Sequence, residues 1–230
     1  VGLITTTRPV YSSTNFLLSK AFYAEVFEPV NGEMPRLGDL MIKTKNNSLN
    51  GAINRNFALL GDPSLRLAYP KHKVAVTKIT NANTGQVIDT VSALDKVTVE
   101  GEIRNFQDNL LNGFEGVLDI TIFDKAQDVT TLGTESSRIT FKAQNNKIYV
   151  GKASVKAGKF SFTFIVPKDI NYQFGEGKWS FYAQANDGIS DAQGAKTDVI
   201  IGGTSQSITP DNTPPAITLF MNDETFVNGG

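Results

Sequence analysis

The chain has 230 residues, 40% of them hydrophobic, enough to bury a real core in one large domain or two modest ones. Its 22 basic and 23 acidic side chains leave a net charge of -1, so there is no strong field of one sign to draw in nucleic acid or an anionic membrane surface. The lack of cysteine removes thiol nucleophiles, disulfides and thiolate metal ligands from the chain itself.

Residues 1–4 form a short apolar run followed by three threonines, Arg8 and Pro9. This predicts a buried strand running into a loop, because Pro9 cannot continue a central ladder. Ser12, Ser13 or Thr14 can cap a helix whose apolar positions Phe16, Leu17, Ala21, Ala24 and Phe27 recur at helical spacing ahead of Pro29. A second helix is expected after Pro35, with Leu37, Leu40 and Met41 on one side and Lys43 and Lys45 near its end, where cations suit the helix dipole. Residues 57–60, Phe-Ala-Leu-Leu, read as a short strand before the turn Gly61-Asp62-Pro63-Ser64. Strand, helix, helix, strand over residues 1–70 predicts the closing piece of a layered α/β domain. It is too little for a complete one, because a piece of parallel sheet is normally covered on both faces.

From about residue 73 the periodicity changes from helical to two. Val97, Val99, Gly101 and Ile103 alternate with Thr98, Glu100, Glu102 and Arg104; Leu118, Ile120 and Ile122 alternate with Asp119 and Thr121; Phe160, Phe162, Phe164 and Val166 alternate with Lys159, Ser161 and Thr163; Trp179, Phe181 and Ala183 alternate with Lys178, Ser180 and Gln184. With residues 74–79, 139–141, 148–155 and 199–201 this gives seven or eight short strands separated by Gly, Asn and Asp turns, the pattern of an immunoglobulin-like β-sandwich over residues 73–202. The Cys-Trp-Cys signature of true immunoglobulin domains is missing, so the core is expected to rest on aliphatic and phenylalanine packing. Residues 203–230 read as a polar linker and the start of a further β module at Thr213-Pro214-Pro215. With no initiating methionine and an end at Val227-Asn228-Gly229-Gly230, the chain reads as a fragment of a longer protein. The longest apolar runs are strand-sized, short of the ~20 residues that span a bilayer, so no transmembrane segment is expected.

Candidate sites are few. His72, the single histidine, stands between Lys71 and Lys73 and reads as an exposed linker residue. Asp62 precedes Pro63 in a turn, where its carboxylate suits nearby backbone amides. Asp187, Asp191 and Asp198 offer oxygen ligands for calcium, but their spacing is not that of an EF-hand and Asn-Asp-Gly is first a turn signal, so no metal is expected. No glycine motif cradles a phosphate, and no cofactor is expected. Tyr172, Phe174 and Tyr182 are candidates for an exposed aromatic patch that takes carbohydrate or protein.

Gly61-Asp62-Pro63-Ser64-Leu65, with the opening strand through Arg8 and the segment Arg36-Leu37-Gly38-Asp39, resembles the end of the catalytic domain of gingipain-type cysteine peptidases. In that family a caspase-like α/β domain closes with such a turn and hands over to an immunoglobulin-like domain. The segments at 120–125, 166–172 and 213–215 are similar to those of its sortase-like signal peptidases of type IX secretion. The resemblance implies a mainly β chain, an immunoglobulin-like β-sandwich preceded by the C-terminal α/β piece of a caspase-like domain. It implies an upstream catalytic domain of the same parent chain as the first partner, then the sorting domains of cargo and other secretion-system components. It also implies a place at the cell surface or outer membrane of a Bacteroidetes-type bacterium. The nucleophilic cysteine and its histidine partner lie upstream in the family and match no position here, so no catalytic residue is expected. Ligands of open α/β sheets gather beyond the carboxyl ends of strands, and in the family the loop at this place borders the substrate pocket. Thr7, Arg8 and Tyr11 are therefore the expected substrate-binding residues. The alternative is a non-enzymatic surface adhesion or scaffold protein built from β-sandwich modules.

Overall fold

The computed structural model describes residues 2–30, 33–48 and 50–205. The chain divides into two compact units, Val1–Lys71 and His72–Gly230. The expected β module at residues 213–219 lies outside the described residues.

In the first unit, strand β1 (Leu3–Thr6) leads to helix α1 (Ser12–Glu25), helix α2 (Leu37–Ser48) and strand β2 (Phe57–Leu60). The two strands pair antiparallel, Leu3 opposite Leu60 and Thr6 opposite Phe57, where sequence reading expected a piece of parallel sheet. Alternation along β1 and β2 turns Ile4, Phe57 and Leu59 toward the helices. There Leu18, Met41 and Phe57 form one buried cluster, and Val26, Leu37 and Leu40 form another. Helix α2 buries the face expected of it, Leu37, Leu40 and Met41. Helix α1 does so only in part: of the expected positions Ala21 is buried, together with Leu18, whereas Phe16 is 67% exposed and Phe27, past the end of the helix, 65%. Its periodicity shows two apolar stripes, and only packing selects which one is covered.

The second unit is all β. Strands β3 (His72–Asn81), β4 (Thr90–Ala93), β5 (Lys96–Arg104), β6 (Gly116–Phe123), β7 (Gln127–Thr130), β8 (Thr140–Ala143), β9 (Lys147–Lys156), β10 (Lys159–Ile165), β11 (Gly175–Glu176), β12 (Lys178–Ala185), β13 (Asp191–Lys196) and β14 (Ile200–Thr204) follow in order. Seven of them close a ring in the order β10-β5-β3-β13-β12-β6-β9. Two seams in the ring are thin. β13 meets β3 in parallel through two residue pairs, Ala192 with His72 and Gln193 with Lys73, and β9 meets β10 through two at their hairpin. The expected sandwich is thus two sheets, β10-β5-β3 and β13-β12-β6-β9, sewn together at both edges. Closure removes the open strand edges that a sandwich otherwise exposes.

Alternation fills the interior. Phe160, Phe162 and Phe164 of β10 point inward, with Phe164 4.8 Å from the Tyr149 ring and edge-on to Trp179 at 5.9 Å. Trp179 is fully buried, so the core is not confined to aliphatic and phenylalanine side chains. Each such side chain contributes roughly 1.5–3 kcal/mol on burial. β13 escapes the sequence pattern because Asp-Ala-Gln-Gly-Ala-Lys has only small inward residues. They have to be small: a Cβ on Gly194 would lie 2.1 Å from the Val74 carbonyl oxygen.

Two further pieces stand outside the ring. β11, β14 and β4 form a small sheet, in which β14 runs parallel to β4. Residues 203 and 204, read from sequence as linker, belong to this strand. β7 and β8 form a separate two-stranded arm, with Val129 paired to Phe141 on one face and an Asp128–Lys142 ion pair of 2.9 Å on the other. The segment 139–141, expected as a strand of the sandwich, is in this arm, where Ile139 is 61% and Phe141 48% exposed.

Candidate functional site

The loop from β1 to α1 carries the residues expected to meet substrate. Thr7 extends the pairing of β1: its amide and its Oγ1 both donate to the Asn56 carbonyl, at 2.8 and 3.2 Å. Arg8 is exposed. Tyr11 is 77% exposed at the N-cap of α1, where its carbonyl accepts the Thr14 hydroxyl at 2.7 Å and the Thr14 and Asn15 amides at 3.1 Å. Ser12 and Ser13, two of the three expected caps, are inside the helix, and the third, Thr14, bonds back to Tyr11. Thr7, Arg8 and Tyr11 therefore share one exposed loop whose ends are fixed by main-chain hydrogen bonds.

Beside that loop lies a cavity of about 470 Å³ lined by Ile4, Thr6, Val10, Leu18, Phe22 and Leu59 among others. None of Thr7, Arg8 and Tyr11 lines it; their neighbours Thr5, Thr6 and Val10 do. The cavity is the open end of the apolar layer between the β1–β2 ribbon and α1. The opposite face of the ribbon is also bare, with Leu3 and Leu60 each 56% exposed. The first unit thus leaves apolar side chains of its ribbon open to solvent.

The turn quoted for the family resemblance is tied to α2. The amides of Leu37 and Gly38 donate to the carbonyls of Leu65 and Pro63, at 2.8 and 2.9 Å, so residues 63–65 take up amides of the first turn of α2, which have no partner within the helix. Asp62 Oδ1 accepts the Ser64 hydroxyl at 2.7 Å and the Ser64 amide at 2.8 Å, and these bonds hold its carboxyl below the usual range. Gly38 is required by this approach, since a Cβ there would be 2.9 Å from Pro63 Cβ and 3.1 Å from its oxygen. Gly38→Val is expected to cost the first unit about 1–3 kcal/mol through overpacking. Limited proteolysis should then release residues 1–71 sooner, with the melting of the β-barrel unchanged; equal protease resistance would contradict this packing.

The other candidates do not assemble. His72 is not an exposed linker residue: it opens β3, is half-buried, and stands edge-on to Phe114 at 6.3 Å, with Nδ1 buried and lacking a hydrogen bond. Asp187 Oδ1 accepts the amides of Ile189 and Ser190 at 2.8 Å each; Asp191 begins β13, and Asp198 pairs with Lys196 at 2.9 Å. Among the described residues no group of three or more His, Asp and Glu side chains is placed to hold a metal ion. The aromatic residues do not share one surface. Tyr172 and Phe174 sit in the loop before β11, with Phe174 against Gly202 and Gly203, whereas Tyr182 is on β12 with its hydroxyl 3.4 Å from Asp191. Sequence reading missed the buried pair Asp124–Lys125 at the end of β6, 2.7 Å apart. No local signal marks it, because Phe-Asp-Lys after an alternating strand looks like any strand end.

No helix among the described residues is long and apolar enough to cross a membrane. Residues 1–68 match the model of peptidase family C25. Over 98% of its length the chain is similar to the crystal structure of dimeric latent PorU from Porphyromonas gingivalis, at 30% sequence identity and a TM-score of 0.57, and it spans 22% of that chain. The sporulation control protein Spo0M from Bacillus subtilis aligns with 59% of this chain and 51% of its own at 13% identity and a TM-score of 0.35. No curated protein matches the chain.

Proposed function

We propose, from a first unit that matches peptidase family C25 and a whole chain that follows PorU, that this is the rear part of a gingipain-like cysteine peptidase that processes the sorting domains of cargo in type IX secretion. The observation that carries the reading is where the family match falls. Residues 1–68 lie in the unit whose ribbon and α1 leave Leu3, Leu60 and Phe16 open to solvent, with Phe27 exposed just past the helix. On this reading the upstream catalytic domain of the same parent chain covers those faces and supplies the nucleophile, since this chain has no cysteine. The β-barrel braces the peptidase or meets cargo and other secretion components on the extracellular side of the outer membrane. The β1–α1 loop borders the substrate pocket, with Thr7, Arg8 and Tyr11 shaping it.

The test is an assay of the longer parent on a sorting-domain substrate, with and without a thiol-blocking reagent. Thiol block is expected to abolish cleavage, because only the thiolate attacks. Activity that survives the block would overturn the cysteine-peptidase reading, and a parent that cleaves nothing in either condition would put the scaffold reading in its place. In the same parent, Arg8→Ala with Tyr11→Ala is expected to change the kcat/KM ratio between two cleavage sequences by about tenfold. An unchanged ratio would remove these residues from the pocket and leave the peptidase reading standing.

A further inference from the structure

The buried pair at the end of β6 joins three segments that are remote in sequence. Asp124 is fully buried and the Lys125 side chain is 10% exposed. On the outgoing root of the β7–β8 arm, the Lys125 amide donates to Asp124 Oδ1 at 2.8 Å. On the returning root, Gln144 Nε2 donates to the Asp124 carbonyl at 2.8 Å, Asn146 Nδ2 donates to Asp124 Oδ2 at 3.4 Å, and the Asp124 amide donates to the Asn146 carbonyl at 2.8 Å. In the loop between β10 and β11, the Asn171 amide donates to Asp124 Oδ2 at 3.1 Å and the Asn171 carbonyl accepts from Lys125 Nζ at 2.7 Å.

That loop in turn holds the last described strand. The Gly203 amide donates to the Tyr172 carbonyl at 2.9 Å, and β11 pairs with β14 at Gly175–Ile201 and Glu176–Ile200. Phe174 lies so close that a Cβ on Gly202 would fall 2.8 Å from its Cα. The stem of Lys125 is equally near Gly175, where a Cβ would meet Lys125 Cδ at 2.7 Å.

We propose that the root of the arm, the 171–176 loop and β14 form one cooperative opening unit pinned by Lys125, so that a displacement of the arm reaches the strand from which the chain runs on to residues 206–230. Lys125 Nζ reaches both Asp124 and the 171–176 loop. Without it, Asp124 is a buried charge short of a partner, and water must enter all three segments to solvate it. A two-stranded ribbon is marginal by itself, so the order of the arm depends on this root. Segments that lose protection together define such a unit.

The experiment is amide hydrogen exchange, read by mass spectrometry on the 230-residue chain at neutral pH, with Lys125→Met and Gln144→Ala. Lys125→Met is expected to speed exchange about tenfold or more, jointly over residues 126–130, 140–146, 171–176 and 200–204, with β5 and β12 unchanged. Gln144→Ala removes only the bond from the returning root to the Asp124 carbonyl and is expected to accelerate the same set by a smaller factor. Acceleration by Lys125→Met confined to residues 171–176, or none, overturns the proposal. If Lys125→Met also loses protection in β5 and β12, Gln144→Ala decides: joint acceleration supports the unit, and confinement to residues 143–146 overturns it.

Discussion

Trp179→Ala is expected to destabilise the β-barrel by about 3–5 kcal/mol, the range for emptying a large buried aromatic site. The side chain is fully buried, edge-on to Phe164 at 5.9 Å and opposite Ile122 across the β12–β6 ladder. The residues around it are held by ladders on two sheets that are joined at both edges, so the walls cannot collapse into the space. Trp179→Phe should cost far less, about 1.5 kcal/mol or under, because the indole Nε1 has no hydrogen-bond partner to lose. Urea unfolding followed by far-UV circular dichroism compares the variants. Trp179 is the one tryptophan in the chain, so in the wild type its fluorescence follows the barrel alone. A loss below ~1 kcal/mol for the alanine variant would contradict a packed interior at this position.

Asp124→Ala is expected to be as damaging, about 3–5 kcal/mol, because it leaves the Lys125 ammonium buried without its counter-charge. The same carboxylate gives the barrel an acid limb. Burial pushes the Asp124 carboxyl up. The Lys125 side-chain hydrogen bond, the amides of Lys125 and Asn171, and the Lys125 charge outweigh burial and hold it below its ordinary value. A carboxyl lowered on folding contributes stability that is fully present above its unfolded pKa of about 4 and is lost as pH falls through the folded value. Midpoints of urea unfolding should therefore be level for this group from neutral pH down to about 5 and then fall. Asp124→Asn should flatten that fall. Asp198 is also lowered, by the hydrogen bond from Lys196, and leaves a residual acid slope in the variant. A variant whose acid slope equals that of the wild type would show that Asp124 does not carry the limb.

The sequence by itself determined much of the local structure. Alternation along residues 97–103, 118–122, 160–166 and 179–184 specified strands and their inward faces, because side chains on a pleated strand point to opposite faces in turn. The apolar side of α2 followed from Leu37, Leu40 and Met41, and the turn at Gly61-Asp62-Pro63-Ser64 from its residue types. Composition excluded any thiol chemistry from the chain itself. The candidate loop at Thr7, Arg8 and Tyr11 was also legible as a loop, since Pro9 ends the strand before it.

Tertiary structure decided the rest. The antiparallel pairing of β1 with β2, the stripe of α1 that is covered, the strand at Asp191–Lys196 and the thin parallel seam that closes the ring all depend on which distant segment arrives alongside. So does the burial of Lys125, whose Nζ is held by a carbonyl 46 residues away. Periodicity reports how one segment divides its own faces. It carries no information about the partner that covers a face, and a short polar segment such as Asp-Ala-Gln-Gly-Ala-Lys becomes a strand only because β12 and β3 arrive on either side of it.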